Sequence, residues 1–193
     1  MGKGRLEAFS DGVIAIIITI MVLEMKVPHG GDLDALTPLL PVALSYVLSF
    51  VHVGIYWNNH HHMLHATRSV TAAILWSNLH LLFWLSLVPF VTGWMGENHF
   101  SPLPVALYGT VMLMAGVAYY ILSQCLVHHH GEGSTLAAAI GRDAKGLISL
   151  LAYLIAVPVA FAAPRVSMGL YVAVALMWLV PDRRIERHLR SAS

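Results

Sequence analysis

The sequence predicts an all-α integral membrane protein with six transmembrane helices in each chain. Of its 193 residues, 58% are hydrophobic and 11% are charged, whereas a soluble domain is about 45–50% apolar and about 25% charged. Most of the apolar segments approach the roughly 20 residues that a membrane-spanning helix needs. We therefore expect residues 1–193 to form one transmembrane domain, with helices at residues 6–26, 39–59, 71–92, 103–127, 146–163 and 166–181.

The distribution of lysine and arginine predicts how these helices are oriented. Nine of the eleven lie at the N-terminus, after the second and fourth segments, or after the sixth, and only Lys26 and Arg165 lie on the other side. Cytoplasmic loops carry the excess of positive charge in membrane proteins. Both termini are therefore expected in the cytoplasm. The basic run at residues 181–190 is interpreted as an interfacial anchor for the last helix, not as a nucleic-acid-binding arm.

The first segment, residues 5–27, is the most informative part of the chain. As one helix it would be roughly 34 Å long, enough to cross a bilayer core of about 30 Å. Acidic residues near its start and the lack of a small-residue cleavage site indicate a retained helix, not a signal peptide. Ile16, Ile20 and Leu23 recur at steps of four and three, so they stack along one side, with Thr19 nearby. A carboxylate at one end and a branched apolar stripe at the other suit the lining of a narrow conduit.

Polar residues on the next two helices are predicted to meet the first helix near its cytoplasmic end. The second helix carries a continuous polar stripe that should face protein or water, made of Ser45, Ser49, His52 and Tyr56. Its end and the cytoplasmic half of the third helix lie at the depth of the acidic first turns. We expect hydrogen bonds to Ser10 and Asp11 from Trp57, an asparagine or a histidine.

The first turns contain a motif, R-x-x-x-F-S-D, formed by Arg5, Phe9, Ser10 and Asp11. This motif resembles the hallmark of the endolysosomal potassium channel family in its prokaryotic, single-repeat form. The resemblance covers the first half of the chain well and the second half only by hydropathy. It extends to residues that end or line the second and third helices: Trp57, His60, His61, Asn78 and Pro89-Phe90.

The resemblance implies a potassium-selective channel with no cofactor beyond the permeant ions. Because the motif occurs once, it implies a homotetramer in which four copies of the first helix line the pore, in the inner membrane of a prokaryote. The constriction would then consist of Ile16, Ile20 and Leu23, with Thr19 as the hydroxyl. Ser10 and Asp11 would hold the helix bundle together. Gly12, directly after the motif, and Glu24 with Lys26 at the outer mouth are not explained by the resemblance.

The residues themselves exclude some mechanisms and leave two other classes of protein open. The chain has no T-V-G-Y-G-like loop, no arginine-repeat helix and no mid-span acidic residue, so a conducting pore would depend on an apolar constriction. A membrane metalloenzyme is the first alternative, because His61 and His65 are spaced i, i+4 and a second cluster lies at residues 128–130. No carboxylates accompany either cluster at ligand spacing, so no metal site is predicted. A secondary transporter is the second alternative, with Pro158 as the one candidate helix break.

Overall fold

The computed structural model describes residues 2–67, 69–131 and 144–179. Within these ranges the secondary structure is entirely helical. The elements are α1 (Lys3–Leu23), a 3-10 helix (Leu33–Leu39), α2 (Leu40–His65), α3 (Ala72–Ser86), α4 (Val88–Glu97), α5 (Pro102–His130), α6 (Ala144–Ala162) and α7 (Pro164–Leu179). In this part of the chain five helical stretches are long and apolar enough to cross a membrane, and α7 is a shorter apolar helix. The all-α membrane architecture predicted from the sequence is confirmed.

Several predicted helix boundaries were wrong. The first helix ends at Leu23 and not at residue 26, and the second continues to His65 instead of stopping at residue 59. The histidines at 128–130 form the last turn of α5, whereas the helix had been predicted to end at residue 127. Histidine is tolerated at helix ends, where it can interact with the last carbonyl groups, and hydropathy alone does not detect such polar turns.

The third predicted segment is divided in two at Leu87. The Leu87 backbone N–H donates to the Trp84 carbonyl oxygen at 3.3 Å, a tightened turn between α3 and α4. Pro89 lies just after this turn. Proline has no backbone N–H, so it removes the hydrogen bond that would continue the helix through this point. The break therefore has a local cause in the sequence.

Parts of the predictions lie outside the described residues. These are the C-terminal basic run at residues 181–190, residues 132–143, and Arg68.

Helix α1 packs against α2, α3 and α4 through one face. The buried residues of that face recur at steps of three and four, as a helix with one contact face requires, and they are Leu6, Ser10, Ile14, Ile17 and Met21. The opposite face is exposed along most of the helix. Its three neighbouring helices thus cover one side of α1 and leave the other free to meet another molecule.

The polar stripe of α2 turns into the interior of the helix bundle. Ser45, Ser49 and His52 are buried, and the hydroxyls of Ser49 and Thr92 are hydrogen-bonded at 2.7 Å. The Tyr108 hydroxyl lies 3.3 Å from both the Ser49 hydroxyl and His52 Nδ1. Polar side chains in a bilayer are stabilised by such contacts between helices. The stripe therefore joins α2 to α4 and α5 and does not reach the exposed face of α1.

Helices α6 and α7 form a tight hairpin that packs against α5. Ala163 alone separates the two helices, and Pro164 begins α7. The Ser167 hydroxyl donates to the Ala156 carbonyl oxygen at 2.7 Å. Pro158 lies inside α6, which continues past it to Ala162. The helix break considered for a transporter is therefore not found at Pro158.

Candidate pore-lining helix and its polar anchor

Three buried side chains from three helices form a hydrogen-bonded chain in the N-terminal half of α1. The Asn78 amide nitrogen on α3 donates to the Ser10 hydroxyl oxygen on α1 at 3.0 Å. The His60 Nε2 group on α2 lies 2.7 Å from the Asn78 amide oxygen. Because that oxygen can only accept, Nε2 carries the hydrogen of this bond. All three residues are at most 1% exposed, so α1, α2 and α3 are joined through one asparagine.

The neighbouring carboxylate of Asp11 has a partner on α2 as well. The Trp57 indole nitrogen donates to Asp11 Oδ1 at 3.0 Å, at the less buried edge of the contact between the two helices. The Trp57 ring is stacked with the ring of His61, and His61 is stacked in turn with His65. We refer to Ser10, Asp11, Trp57, His60 and Asn78 together as the polar anchor. The structure thus brings together residues that lie 68 positions apart in the sequence.

The first two residues of the motif lie outside this polar anchor. Arg5 is exposed, and Phe9 is 49% exposed on the same open side of α1. A residue that the sequence analysis did not select, Lys3, makes the terminal contact instead. Its ammonium donates to the His65 carbonyl oxygen at 2.6 Å and lies 3.7 Å from Glu7 Oε1. The i, i+4 spacing of Lys3 and Glu7 was the available sequence signal.

The four residues predicted to line the constriction are all exposed in the single chain. Ile16 is 58% exposed, Ile20 is 41% exposed and Leu23 is 78% exposed. The Thr19 hydroxyl donates back to the carbonyl oxygens of Ala15 and Ile16. Its oxygen therefore keeps acceptor capacity on the open face, because a hydroxyl has two lone pairs.

The four residues do not all face the same surroundings. Ile16 and Ile20 border a groove between α1 and the α3–α4 pair, whereas Thr19 and Leu23 do not line that groove. The open face of α1 therefore has two parts, one free of neighbours in the chain and one beside α4.

The histidine clusters do not form a metal site in the part of the chain that is described. No group of three or more histidine, cysteine or acidic side chains there is arranged to hold a metal ion. The rings of His61 and His65 are stacked face to face, with centroids 6.1 Å apart. The Ser69 hydroxyl and His129 Nε2 are hydrogen-bonded at 2.8 Å, which links the connection before α3 to the end of α5.

These features define a class of protein: a helical membrane protein whose N-terminal helix is fixed at one end and open along one face. Residues 5–89 match the family model described as endosomal/lysosomal potassium channel TMEM175. The chain is 52% identical over 190 residues to a protein of Chryseobacterium sp. (strain P1-3) named a potassium channel, covering 98% of this chain and 99% of that protein. The chain therefore belongs to the TMEM175 family.

Two further similarities agree with this assignment. A crystal structure described as a lysosomal potassium-selective channel TMEM175 homolog from Chamaesiphon minutus superposes with a TM-score of 0.80 at 27% identity, covering 92% of this chain and 96% of that one. The chicken (Gallus gallus) protein named endosomal/lysosomal proton channel TMEM175 is 38% identical over 96 residues, which span 43% of this chain and 19% of that protein. The family and these relatives are ion channels, so the predicted family and the prediction of a channel instead of an enzyme are confirmed.

Proposed function

We propose that the chain is the subunit of a potassium-selective channel in which four copies assemble around a shared axis. The open face of α1 would line the pore, both termini would lie in the cytoplasm, and the membrane would be the inner membrane of a prokaryote. The observation that carries the proposal is the division of α1 into a buried face and an exposed face. An exposed face on a helix that the polar anchor ties to α2 and α3 suits a wall that must keep its position.

The proposed constriction consists of Ile16, Ile20 and Leu23, and it selects ions without a ring of carbonyl groups. A narrow apolar ring makes an ion shed water without supplying replacement ligands, and it can gate by dewetting. Potassium loses its hydration shell more readily than sodium, so such a ring favours potassium. Leu23 is the most exposed of the three, and Thr19 offers a hydroxyl oxygen one turn before it.

Ion flux through purified protein in liposomes tests this proposal. We expect potassium flux to exceed sodium flux, with caesium as a third permeant ion for comparison. Leu23→Asn supplies an amide to the ring and is expected to raise the sodium-to-potassium flux ratio several-fold. Leu176→Asn is the matched control, because Leu176 is 58% exposed on α7, away from α1. An unchanged ratio in Leu23→Asn, or an equal change in the control, would refute the constriction.

The assembly is tested separately by measuring the mass of the detergent-solubilised protein. One chain is 21.1 kDa, so the proposal requires a particle with four times that protein mass. A stable particle of any other copy number would refute the fourfold arrangement while leaving the family assignment intact.

A further inference from the structure

Glu24 is the first residue beyond the proposed constriction. Helix α1 ends at Leu23, and Glu24 is its C-cap residue. Glu24 is exposed in the single chain. In the proposed channel, four copies of this carboxylate would surround the outer end of the pore, next to the ring of Leu23 side chains. Glu24 is also one of the residues that the family resemblance leaves without a role.

A carboxylate at this position does not stabilise α1. The C-terminus of a helix carries the negative end of the helix dipole, so cations are favourable there and carboxylates are not. The last carbonyl groups of α1 and the Glu24 carboxylate therefore place negative charge together at one end of the helix. Helix C-termini of this kind contribute to cation sites in membrane transporters. The outer end of α1 is thus suited to a nearby cation and not to an anion.

The Glu24 side chain is held between α1 and α4. A Cβ atom added at Gly93 of α4 would lie 3.6 Å from Glu24 Oε2 and 3.7 Å from Glu24 Cγ. These are ordinary van der Waals distances, so the carboxylate lies beside the α4 backbone at a residue that has no side chain. Gly93 therefore leaves room for the carboxylate on the flank of α1, close to the outer end of that helix.

The lysine closest to Glu24 in the sequence is paired with a different carboxylate. Lys26 Nζ lies 3.1 Å from Glu97 Oε1, and Glu97 is the last residue of α4, one turn after Gly93. Among the described residues Glu24 has no ion pair and no hydrogen bond from its side chain. Two carboxylates thus share one ammonium group, and each subunit keeps a net negative charge at this position.

The proposed constriction contains no charged group that would distinguish a cation from an anion. A ring of Ile16, Ile20 and Leu23 discriminates between ions by how readily they lose water, and chloride, like potassium, is a weakly hydrated ion. Cation channels use rings of Asp or Glu side chains to select the sign of the charge. A carboxylate beside the apolar ring would therefore supply the discrimination that the apolar ring lacks.

We propose that Glu24 selects cations over anions and concentrates potassium at the outer mouth, a role that rests on the proposed tetrameric pore. Clefts lined by charge of one sign raise the local concentration of counter-ions. The ion pair between Lys26 and Glu97 preserves the charge of Glu24, because it keeps the Lys26 ammonium on α4. Discrimination between potassium and sodium stays with the constriction.

Single-channel recording in planar bilayers tests this role. Glu24→Gln keeps the size of the side chain and removes its charge. We expect it to lower the potassium conductance several-fold at about 0.01 M KCl but to have little effect at about 1 M, because the screening length falls from about 30 Å to about 3 Å. In a KCl gradient the reversal potential should shift towards that of chloride, while the potassium-to-sodium ratio stays unchanged. Glu24→Asp keeps the charge and should retain the conductance.

The two residues of the ion pair provide changes of opposite sign. Lys26→Gln removes a positive charge from the neighbourhood of Glu24 and should raise the conductance at low salt. Glu97→Gln frees Lys26 to pair with Glu24 and should lower the conductance at low salt. The mass of each variant in detergent shows whether its assembly is intact. Changes of the same sign in these two variants would contradict the proposed electrostatic role.

Asp34→Asn is the matched control. Asp34 is an exposed carboxylate in the same connection between α1 and α2, but it lies in the 3-10 helix and not on α1. Its loss should change the low-salt conductance much less than Glu24→Gln. Equal effects of the two variants, or an unchanged conductance and reversal potential in Glu24→Gln, would overturn the role of Glu24 and leave the constriction intact. A wild-type protein that carries no potassium current would refute the proposed function and this role together.

Discussion

Replacing Asn78 with leucine tests whether the polar anchor stabilises the bundle. The substitution keeps the size of the side chain but removes both the donor to Ser10 and the acceptor for His60. A hydrogen bond between membrane helices contributes about 0.6 kcal/mol on average. The larger effect comes from His60, whose ring N–H would remain buried without an acceptor, at a cost of about 1–3 kcal/mol. We therefore expect Asn78→Leu to lower the free energy of unfolding by about 2–4 kcal/mol.

The measurement is an equilibrium unfolding titration with SDS in mixed micelles. Ser77→Ala is the matched control, because Ser77 is also buried on α3 but donates only to Ile74 of its own helix. We expect that variant to change the free energy of unfolding by less than about 0.5 kcal/mol. Combining Asn78→Leu with His60→Leu should cost less than the sum of the two single changes, since no donor is then left unpaired. Equal effects of Asn78→Leu and Ser77→Ala would refute the reasoning.

Three further predictions follow from other contacts. Asp11→Ala removes the acceptor of the Trp57 indole on α2, so it should shift the particle mass towards smaller oligomers without changing ion preference. Asp11→Asn keeps an acceptor oxygen and should leave the particle mass unchanged. An intact tetramer of Asp11→Ala with altered selectivity would contradict this. Gly109→Ala places a methyl group against the Tyr171 hydroxyl and should lower the free energy of unfolding by about 1–3 kcal/mol in the SDS titration. Gly54→Ala is the control, because an added Cβ there has no atom within 4 Å. Thr19→Val keeps the shape but removes the oxygen, so it should reduce the potassium-to-sodium flux ratio in liposomes; an unchanged ratio would exclude that hydroxyl as a ligand.

The polar anchor could be anticipated from the sequence because depth in a membrane is a strong constraint. Ser10, Trp57 and Asn78 come from three different helices, but counting residues from the helix ends places them at one level. Polar groups in a bilayer need hydrogen-bond partners, so polar side chains at the same depth are expected to bond to one another. The exact pairing, with Asn78 as the bridge between Ser10 and His60, depends on how the helices rotate, and hydropathy does not report rotation.

Other contacts depend on which helices lie side by side, and the spacing of residues along the sequence does not predict this. Ser49 was recognised as part of a stripe, but its partners Thr92 and Tyr108 lie on helices 43 and 59 residues away. The groove beside α4 lies between Ile16 and Ile20 of α1 and Phe90 and Trp94 of α4, so it is a property of two neighbouring helices and not of either one. By contrast, the break at Leu87 had a local cause in Pro89, and it could have been predicted from the missing N–H of proline.

The contacts of the α2 stripe and of the polar anchor within one chain have a consequence for biogenesis. Ser10, Ser49 and Asn78 all find their partners within their own chain, so a newly inserted polypeptide can complete these contacts before it encounters a sister molecule. In the proposed tetramer, assembly would then be a late docking of finished subunits, in keeping with helices that fold first and associate afterwards. Two variants synthesised in the same cell would accordingly mix at random in one complex.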